Sequence, residues 1–268
     1  MSHLFIFGLG YSASRLAARL QAQGWRVDAT GRIGNVAFDD WAGVESMLAS
    51  ATHILSSVPP TRDGTDPVLL HYGEAIRRSP ARWTGYLSST GVYGDTHGAW
   101  VDESASTGGG RRTARAQADL EWQALRTDMR VFRLPGIYGP GRSALDRVRE
   151  GRAHRIDIPG QVFSRVHVDD IVGGVTASFR GPPGVYNLSD DLPCSQNRII
   201  EAACRMLNVP SPPLLSLEDA KLSPMARAFY DENRRVANGK AKRVLDWKPL
   251  YPDYEAGLKA CLAEENAR

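Results

Sequence analysis

The chain has 268 residues, of which 42% are hydrophobic and 24% charged, and a formal net charge of +3. This length suits one large domain or a domain with a smaller lobe, and the composition excludes collagen-like, coiled-coil and wholly disordered proteins. No apolar run approaches the ~20 residues that span a bilayer, and the apolar start lacks the basic flank of a signal peptide. We therefore expect a soluble, cytoplasmic protein, and the small, dispersed charge favours neither a nucleic-acid nor a membrane partner.

In the first half of the chain, short apolar runs alternate with segments of helical period. The predicted strands are residues 4–7, 26–29, 36–38, 53–58, 83–87 and 131–134. The predicted helices are residues 12–23, 41–50, 67–78 and 113–127. Alternation of strands and helices with short connections predicts right-handed crossovers and a doubly wound parallel α/β sheet.

The pattern changes after Pro135. The sequence predicts a short helix at 143–150, a strand at 162–168, a helix at 169–179 and a short strand at 185–188. From residue 193 onward, helices interrupted by prolines are predicted at 196–207, 217–220, 239–245 and 254–263. Residues 94–110, rich in Gly, Ser, Thr and Asp, predict a surface loop or a mobile lid.

The cysteines predict no metal centre. Cys194, Cys204 and Cys261 are odd in number and widely spaced, so they suit neither a disulfide framework nor a set of metal ligands. We interpret them as packing thiols in a reduced compartment.

The chain begins with a strand, a glycine-rich turn and a helix. Gly8 and Gly10 belong to a Gly-x-Gly-x-x-Ala pattern, with Tyr11 and Ser12 before its final Ala13. The first glycine permits a tight turn, the second lets backbone approach a pyrophosphate, and the alanine lets the helix pack closely on the strand. The helix N-terminus offers free N–H groups to the phosphates. The pattern predicts a dinucleotide site at these five residues, and the alternative is a glycine turn without a ligand.

The end of the second predicted strand bears on the choice between NAD and NADP. Asp28 stands ~20 residues after the glycines, where an acidic residue would bind the ribose of NAD. The alternation predicts that Val27 and Ala29 are the buried positions, which puts Asp28 inside the strand and not at its end. Arg32 follows the strand and can pair with a 2′-phosphate, which favours NADP over NAD. The alternative for Arg32 is an exposed surface arginine.

Residues after other predicted strands complete the expected cofactor site. Asp39 is predicted to face the adenine amino group, unless it caps the helix that begins near residue 41. The further predicted cofactor contacts are Ser57, Val58, Pro59 and Pro135. All of these residues follow parallel strands, at the edge of the sheet where ligands bind.

Hydroxyl-bearing residues follow the strand at 83–87. Ser88, Ser89 and Thr90 lead into a Gly-Val-Tyr-Gly segment that contains Tyr93. Together with the glycine pattern at 8–13, this segment resembles the extended short-chain dehydrogenase/reductase family, which includes NAD-dependent epimerases and dehydratases. Further matches occur in the same order at residues 133–140, 163–170, 235–238 and 245–249. The resemblance covers nearly the whole chain and implies a Rossmann fold, a nicotinamide cofactor and a substrate-binding lobe.

The catalytic pair that the resemblance implies is missing. Members of the family combine a Ser or Thr with a Tyr-x-x-x-Lys helix, in which Tyr is the acid/base and Lys lowers its pKa and holds the cofactor ribose. Ser89 matches the first position, but Thr113 stands where Tyr is expected and Gln117 where Lys is expected. No lysine precedes Lys221, so shifting the alignment cannot restore the pair. The chain therefore resembles atypical members that keep the fold and the cofactor motif.

The remaining candidates lie at the predicted crevice. The predicted catalytic residues are Ser89, Tyr93, Thr113 and Gln117. The predicted substrate contacts are Thr90, Arg142, His167 and Arg235. Tyr93 is either an alternative proton donor or a residue of substrate contact or packing, and both arginines have solvated surface charge as their alternative. Beside His167, Asp169 or Asp170 is expected to cap the following helix.

Residues 1–190 are expected to form an NAD(P)-binding Rossmann domain, with residues 136–160 contributing to the lobe. Residues 191–268 are expected to form a mostly helical substrate-binding lobe. The expected function is NADP-linked oxidation–reduction or epimerisation of a small polar or nucleotide-sugar-like substrate, and the alternative is a non-catalytic dinucleotide-binding sensor. The resemblance also implies a homodimer.

Overall fold

The computed structural model describes residues 2–61, 63–109 and 113–267, apart from the side chains of residues 225 and 226. Its first half contains β1 (His3–Phe7), α1 (Tyr11–Ala22), β2 (Arg26–Ala29), α2 (Trp41–Ser50), β3 (His53–Ser56), α3 (Pro67–Arg78), β4 (Trp83–Ser89), a 3-10 turn (Thr90–Tyr93), β5 (Trp100–Val101), α4 (Thr113–Leu125) and β6 (Met129–Leu134). The second half contains β7 (Gly136–Tyr138), α5 (Ala144–Arg149), β8 (Arg155–Ile156), β9 (Arg165–His167), α6 (Val168–Ala177), β10 (Gly184–Asn187), α7 (Gln196–Met206), β11 (Leu214–Leu215), α8 (Pro224–Arg227), β12 (Arg235–Val236), α9 (Gly239–Leu245) and α10 (Tyr254–Asn266).

A six-stranded parallel sheet forms the centre of the molecule, in the order β10-β6-β4-β3-β1-β2. Helices cover both of its faces, because parallel strands joined by right-handed crossovers bury both sides of a sheet. The predicted doubly wound Rossmann-type α/β fold is therefore confirmed. The carboxyl ends of β1, β2 and β3 lie side by side, as do those of β4, β6 and β10.

Two apolar cores lie on opposite faces of this sheet. On one face, α1, α6 and α9 contribute Leu16, Val172 and Leu245. On the other, α2 and α4 contribute Leu48 and Trp122, together with side chains of α3. The packing of these helices keeps the strands rigid, so the loops at the carboxyl ends of the strands are held in fixed positions.

A third core lies outside the sheet, where α5, α7 and α10 pack together through residues such as Leu145, Ile200 and Leu258. Helix α5 belongs to the segment 136–160, which was predicted to contribute to the lobe. However, Ala241 and Trp247, which come later in the chain, belong to the core of the sheet. The tail thus serves both cores, and the division at residue 190 stays a prediction.

Three local predictions are wrong. Residues 36–38 form no strand, and only Val36 bridges to Thr30. The reason is a turn in which Gly34 donates to Gly31 while the Asn35 side chain accepts the Ala29 N–H, so the chain folds back on β2. Residues 217–220 form a turn and not a helix, and the tail contributes the short strands β11 and β12.

The third wrong prediction concerns the start of α6. This helix begins at Val168, and the Nδ1 atom of His167 accepts the N–H of Asp169 at 3.2 Å. His167 is therefore the capping residue. Asp169 and Asp170 lie in the first turn, where their negative charge suits the helix dipole.

No helix in the described ranges is long and apolar enough to cross a membrane.

Candidate functional site

The glycine-rich loop is held between the ends of β2 and β3. Gly8 adopts a φ of +84°, and a Cβ built on it would lie 2.7 Å from Val58 Cγ2. Its N–H donates to Thr30 Oγ1 at 3.1 Å, and the Leu9 N–H donates to Thr30 O at 2.8 Å. The Ser57 hydroxyl donates to Gly8 O. Only glycine combines this dihedral with so close a neighbour, so the first position of the pattern is fixed by the turn itself.

Gly10 differs from Gly8 because its backbone is open. A Cβ built on Gly10 would meet no atom within 4 Å. Gly10 is also the N-cap of α1 and provides no side-chain hydrogen bond to it. The first N–H groups of a helix have no partner within the helix, so those of Tyr11, Ser12 and Ala13 are available to a ligand. An accessible backbone that leads into an uncapped helix fits the pyrophosphate of a dinucleotide.

The end of β2 holds no free carboxylate at Asp28. Arg26 Nε and Asn35 Nδ2 each donate to Asp28 at 2.7 Å, and His3 Nε2 lies 2.9 Å from it. Burial opposes ionisation, but the Asn35 hydrogen bond and the Arg26 charge hold the pKa of Asp28 below its usual range. Asp28 is buried while Val27 is only half-buried, contrary to the predicted alternation, because these partners satisfy its charge.

The other predicted cofactor residues lie near this edge. Arg32 is exposed in the turn after β2. Asp39 is exposed as well, and its neighbour Asp40 caps α2 by accepting the Gly43 N–H at 3.0 Å. β3 ends at Ser56, so the predicted contacts Ser57, Val58 and Pro59 belong to the loop after it. Pro135 is half-buried between β6 and β7.

A chain of buried polar side chains joins the ends of β4, β6 and β10. Ser88 donates to Asp119 at 2.5 Å, and Arg133 donates to the same carboxylate at 2.7 and 3.1 Å. Arg133 also donates to the Tyr93 hydroxyl at 3.0 Å, and that hydroxyl donates to Asn187 Oδ1 at 2.8 Å. We call these five residues the buried polar network. All five residues are at most 5% exposed, and the hydrogen bonds described here join them to one another.

The position of Tyr93 does not suit the predicted proton donor. The residue is only 5% exposed. Burial raises its pKa, more than the charge of Arg133 lowers it. Its hydroxyl proton is directed at Asn187, and the Arg133 guanidinium stacks 4.9 Å from its ring centroid. A packing role, which the sequence left open, agrees with this geometry.

The other catalytic candidates lie closer to the surface. Ser89 is half-buried at the end of β4, where its Oγ accepts the Gly91 N–H at 3.1 Å and so keeps its own proton for donation. Thr113 and Gln117 are exposed on α4, and Gln117 donates to Glu121 at 2.8 Å. Ala116 of the same helix packs in one cluster with Tyr93.

Among the predicted substrate contacts, His167 lies in the interior of the protein. It is 1% exposed, its Nε2 lies 3.7 Å from Cys261 Sγ, and burial lowers its pKa to about 4. The prediction missed this because a histidine at a strand end and a histidine that caps a helix have the same sequence pattern. Thr90 is also buried, in the 3-10 turn.

Arg235 and Arg142 have specific contacts. Arg235 lies on β12 and donates to Gly98 O, so it ties the segment after Tyr93 to the tail. This segment also contains β5, which pairs with β12. These contacts hold the segment in place, which does not agree with the predicted mobile lid. Arg142 is exposed, and its guanidinium lies 5.6 Å from the centroid of the Tyr11 ring.

Helix α1 is linked to the rest of the chain by Arg15. This guanidinium donates to Asp169 at 2.7 and 3.1 Å and to Glu264 at 3.1 and 2.7 Å. One side chain thereby joins α1 to α6 and α10. Within the described ranges, no group of three or more His, Cys, Asp or Glu residues could hold a metal ion.

Comparisons with known proteins find similarity over the full length of the chain and over part of it. A functionally unknown conserved protein from Silicibacter pomeroyi DSS has a solved structure that is 40% identical, with 98% of this chain and 99% of that chain covered and a TM-score of 0.88. A 3-diazoavenalumate denitrifying reductase from a Streptomyces species is 31% identical over 160 residues. That match covers 54% of this chain and about half (52%) of the reductase. No known protein-family profile matches the chain.

More distant solved structures have the same fold. The human epimerase family protein SDR39U1, solved with NADPH, is 17% identical, with 97% of this chain and 99% of that chain covered and a TM-score of 0.79. A Bacillus anthracis dTDP-glucose 4,6-dehydratase, solved with NAD, is 15% identical, with 100% and 97% covered and a TM-score of 0.78. The chain thus belongs to the same family as the Silicibacter pomeroyi protein, and its fold is that of the NAD-dependent epimerase/dehydratase, or extended short-chain dehydrogenase/reductase, structures.

Proposed function

We propose that this protein binds a nicotinamide dinucleotide across residues 8–13 and uses it as an NADP-linked oxidoreductase. The observation that carries the proposal is the open backbone at Gly10, which leads into the uncapped N-terminus of α1 at the carboxyl edge of a parallel sheet. When bound, such a cofactor supplies hydride transfer. In this proposal Gly10 and the first N–H groups of α1 bind the phosphates.

The preference for NADP rests on charge at the end of β2. Asp28 is engaged by Arg26 and Asn35, so its carboxylate is not free to accept a ribose hydroxyl. Arg32 is exposed in the adjacent turn and offers a planar donor for a 2′-phosphate. The distant structural neighbours include one solved with NADPH and one solved with NAD, so they support a nicotinamide dinucleotide in general, and the preference rests on Arg32 and Asp28.

The reaction class is supported by the Streptomyces relative, which is named as a reductase. Ser89 is the group that we assign to the substrate, because its hydroxyl can donate while its oxygen accepts the Gly91 N–H. The substrate proposed is a small polar molecule, of which a nucleotide sugar is one kind. Tyr93, whose hydroxyl is directed at Asn187, contributes to structure in this proposal.

A non-catalytic dinucleotide sensor is the second candidate. It is favoured by one observation: the position expected for the catalytic lysine is Gln117, a group that does not titrate, hydrogen-bonded to Glu121. A sensor needs the cofactor loop but no group that transfers a proton.

Cofactor binding is tested by titrating NADPH and NADH, followed by their fluorescence, into the parent protein and its variants. Gly10→Val should abolish binding of both, because a branched side chain would occupy the space of the pyrophosphate. Arg32→Ala should weaken NADPH roughly tenfold or more and leave NADH nearly unchanged. Arg19→Ala is the matched control, since Arg19 is an exposed arginine on α1.

Equal affinity of the parent and a folded Gly10→Val variant would remove the site from this loop. A parallel loss of NADPH and NADH in Arg32→Ala would make that arginine structural. To separate enzyme from sensor, single-turnover cofactor oxidation with a panel of small polar carbonyl compounds and nucleotide sugars is compared between the parent and Ser89→Ala. We expect a loss of about 10²-fold, as for removal of one donor from a reacting oxygen.

Tyr93→Phe and Thr113→Val complete that comparison. A collapse of the rate in either variant, with Ser89→Ala unaffected, would show that the reacting group is assigned to the wrong residue. Tight cofactor binding without turnover in any form would favour the sensor.

A further inference from the structure

A turn from the second half of the chain lies on the first residue of α1. The Tyr11 hydroxyl donates to Pro140 O at 3.0 Å, and a Cβ built on Gly139 would lie 2.6 Å from that hydroxyl oxygen. Arg142 closes the same turn by donating its N–H to Gly139 O at 3.0 Å. Its guanidinium carbon lies 5.6 Å from the centroid of the Tyr11 ring, which is cation–π distance. The turn therefore brings a positive charge to the glycine-rich loop.

Among the described residues, this charge has no counter-charge of its own. Arg15, also beside α1, is paired with Asp169 and Glu264, whereas no carboxylate forms an ion pair with Arg142 in the part of the chain that the structure describes. Tyr11 does not neutralise it either, because burial raises the pKa of Tyr11 to about 12. Arg142 is exposed. An unpaired guanidinium held over an aromatic ring is prepared for an anion, because the ring fixes the planar group without using its N–H donors.

We propose that Arg142 binds the pyrophosphate of the dinucleotide. Arg142 then belongs to the cofactor site and not to the substrate site, where the sequence analysis predicts it. This inference rests on the proposed function. The turn at 139–142 follows β7, so the second half of the chain would add a side chain to a loop that otherwise offers only backbone. Both NAD and NADP carry the pyrophosphate, so Arg142 should contribute equally to both, unlike Arg32.

The experiment compares the parent, Arg142→Ala, Arg142→Lys and Arg19→Ala in titrations with NADH, NADPH and ADP. ADP is followed by its displacement of NADPH, and it carries the diphosphate without the nicotinamide half. We expect Arg142→Ala to weaken all three ligands by a similar factor of roughly ten, since charge-assisted hydrogen bonds to phosphate are lost. Arg142→Lys should recover part of the loss, because the charge remains but the planar fork does not. Arg19→Ala should bind as the parent does.

The outcomes separate this inference from the proposed function. If the parent binds dinucleotide and Arg142→Ala binds each of the three ligands as tightly as the parent does, the inference is overturned while the proposed function survives. The same holds if only NADPH weakens, since the 2′-phosphate would then be the partner. If the parent binds no dinucleotide, both proposals fail. A shared loss in a variant whose circular dichroism matches that of the parent supports the inference.

Discussion

The loop at residues 8–13 has an accessible backbone at Gly10, whereas the polar side chains at the ends of β4, β6 and β10 are bonded to one another. Gly10 has open space around its backbone, while Tyr93 is 5% exposed and is hydrogen-bonded on both sides. Both regions lie at the same edge of one sheet. The first region is suited to binding and the second to stability. Thr113 and Gln117 stand where the resemblance implies the catalytic Tyr and Lys, and the buried polar network nearby contributes to the stability of the fold.

The largest expected effect comes from breaking the buried polar network. Asp119→Ala should destabilise the protein by ~3–5 kcal/mol, because Arg133, whose side chain is 4% exposed, would keep a buried charge without a partner. Urea denaturation measures the change in the free energy of unfolding. Glu121→Ala, an exposed position on the same helix, is the control and should cost less than ~1 kcal/mol. Equal costs for the two variants would mean that the network does not stabilise the fold.

A smaller effect is expected at Asp190, which follows β10 and is 3% exposed. Burial raises its pKa to about 8, more than the charge of Arg165 lowers it, and Arg165 donates its own hydrogen bonds to Phe163, Cys194 and Gln196. An unfolded aspartic acid loses its proton near pH ~4. The folded protein therefore holds one more proton between about pH 4 and 8, and this group lowers stability as the pH rises through that window.

Asp190→Asn should remove this slope. At pH 5, close to the pKa of the unfolded carboxyl, we expect the smaller difference between the urea concentrations at which the variant and the parent unfold. At pH 8.5 the variant should be more stable by ~1–3 kcal/mol, since one pKa unit corresponds to ~1.4 kcal/mol and relaxation reduces the full difference. If the two proteins keep a constant difference from pH 5 to 8.5, this carboxyl does not titrate as we infer.

The glycine-rich loop is expected to give the sharpest contrast between two variants, and one of them has the smallest effect on stability. Gly8→Ala should cost ~2 kcal/mol, because a Cβ at a φ of +84° would meet Val58. Gly10→Ala should cost only a few tenths of a kcal/mol, as its φ is −88° and its Cβ would meet nothing. Thermal unfolding measures both. Yet the Gly10 variant should bind NADPH more weakly than the parent does, and normal binding there would contradict the open-backbone site.

The glycine-rich loop could be predicted from the sequence because its determinants are local. A strand, two glycines and a helix within thirteen residues define the turn, and Gly8 alone requires its dihedral. The buried polar network could not be predicted in the same way. Tyr93 and Asn187 are 94 residues apart, and Asp119 and Ser88 are 31 apart. The available signal was a pair of arginines, Arg130 and Arg133, inside the strand β6, since a charge in a buried strand needs a partner.

The contact between α1 and α10 has a consequence for the affinity with which the glycine-rich loop would bind a ligand. Arg15 lies one turn beyond the N-terminal end of α1, and it joins that helix to Glu264 on α10. The coupling free energy between two sites is reciprocal. A ligand that stabilises α1 therefore stabilises the docked α10 by the same amount, and a molecule that displaces α10 lowers the affinity for that ligand. If residues 8–13 bind a dinucleotide as proposed, the affinity of that loop and the docking of α10 are coupled through Arg15.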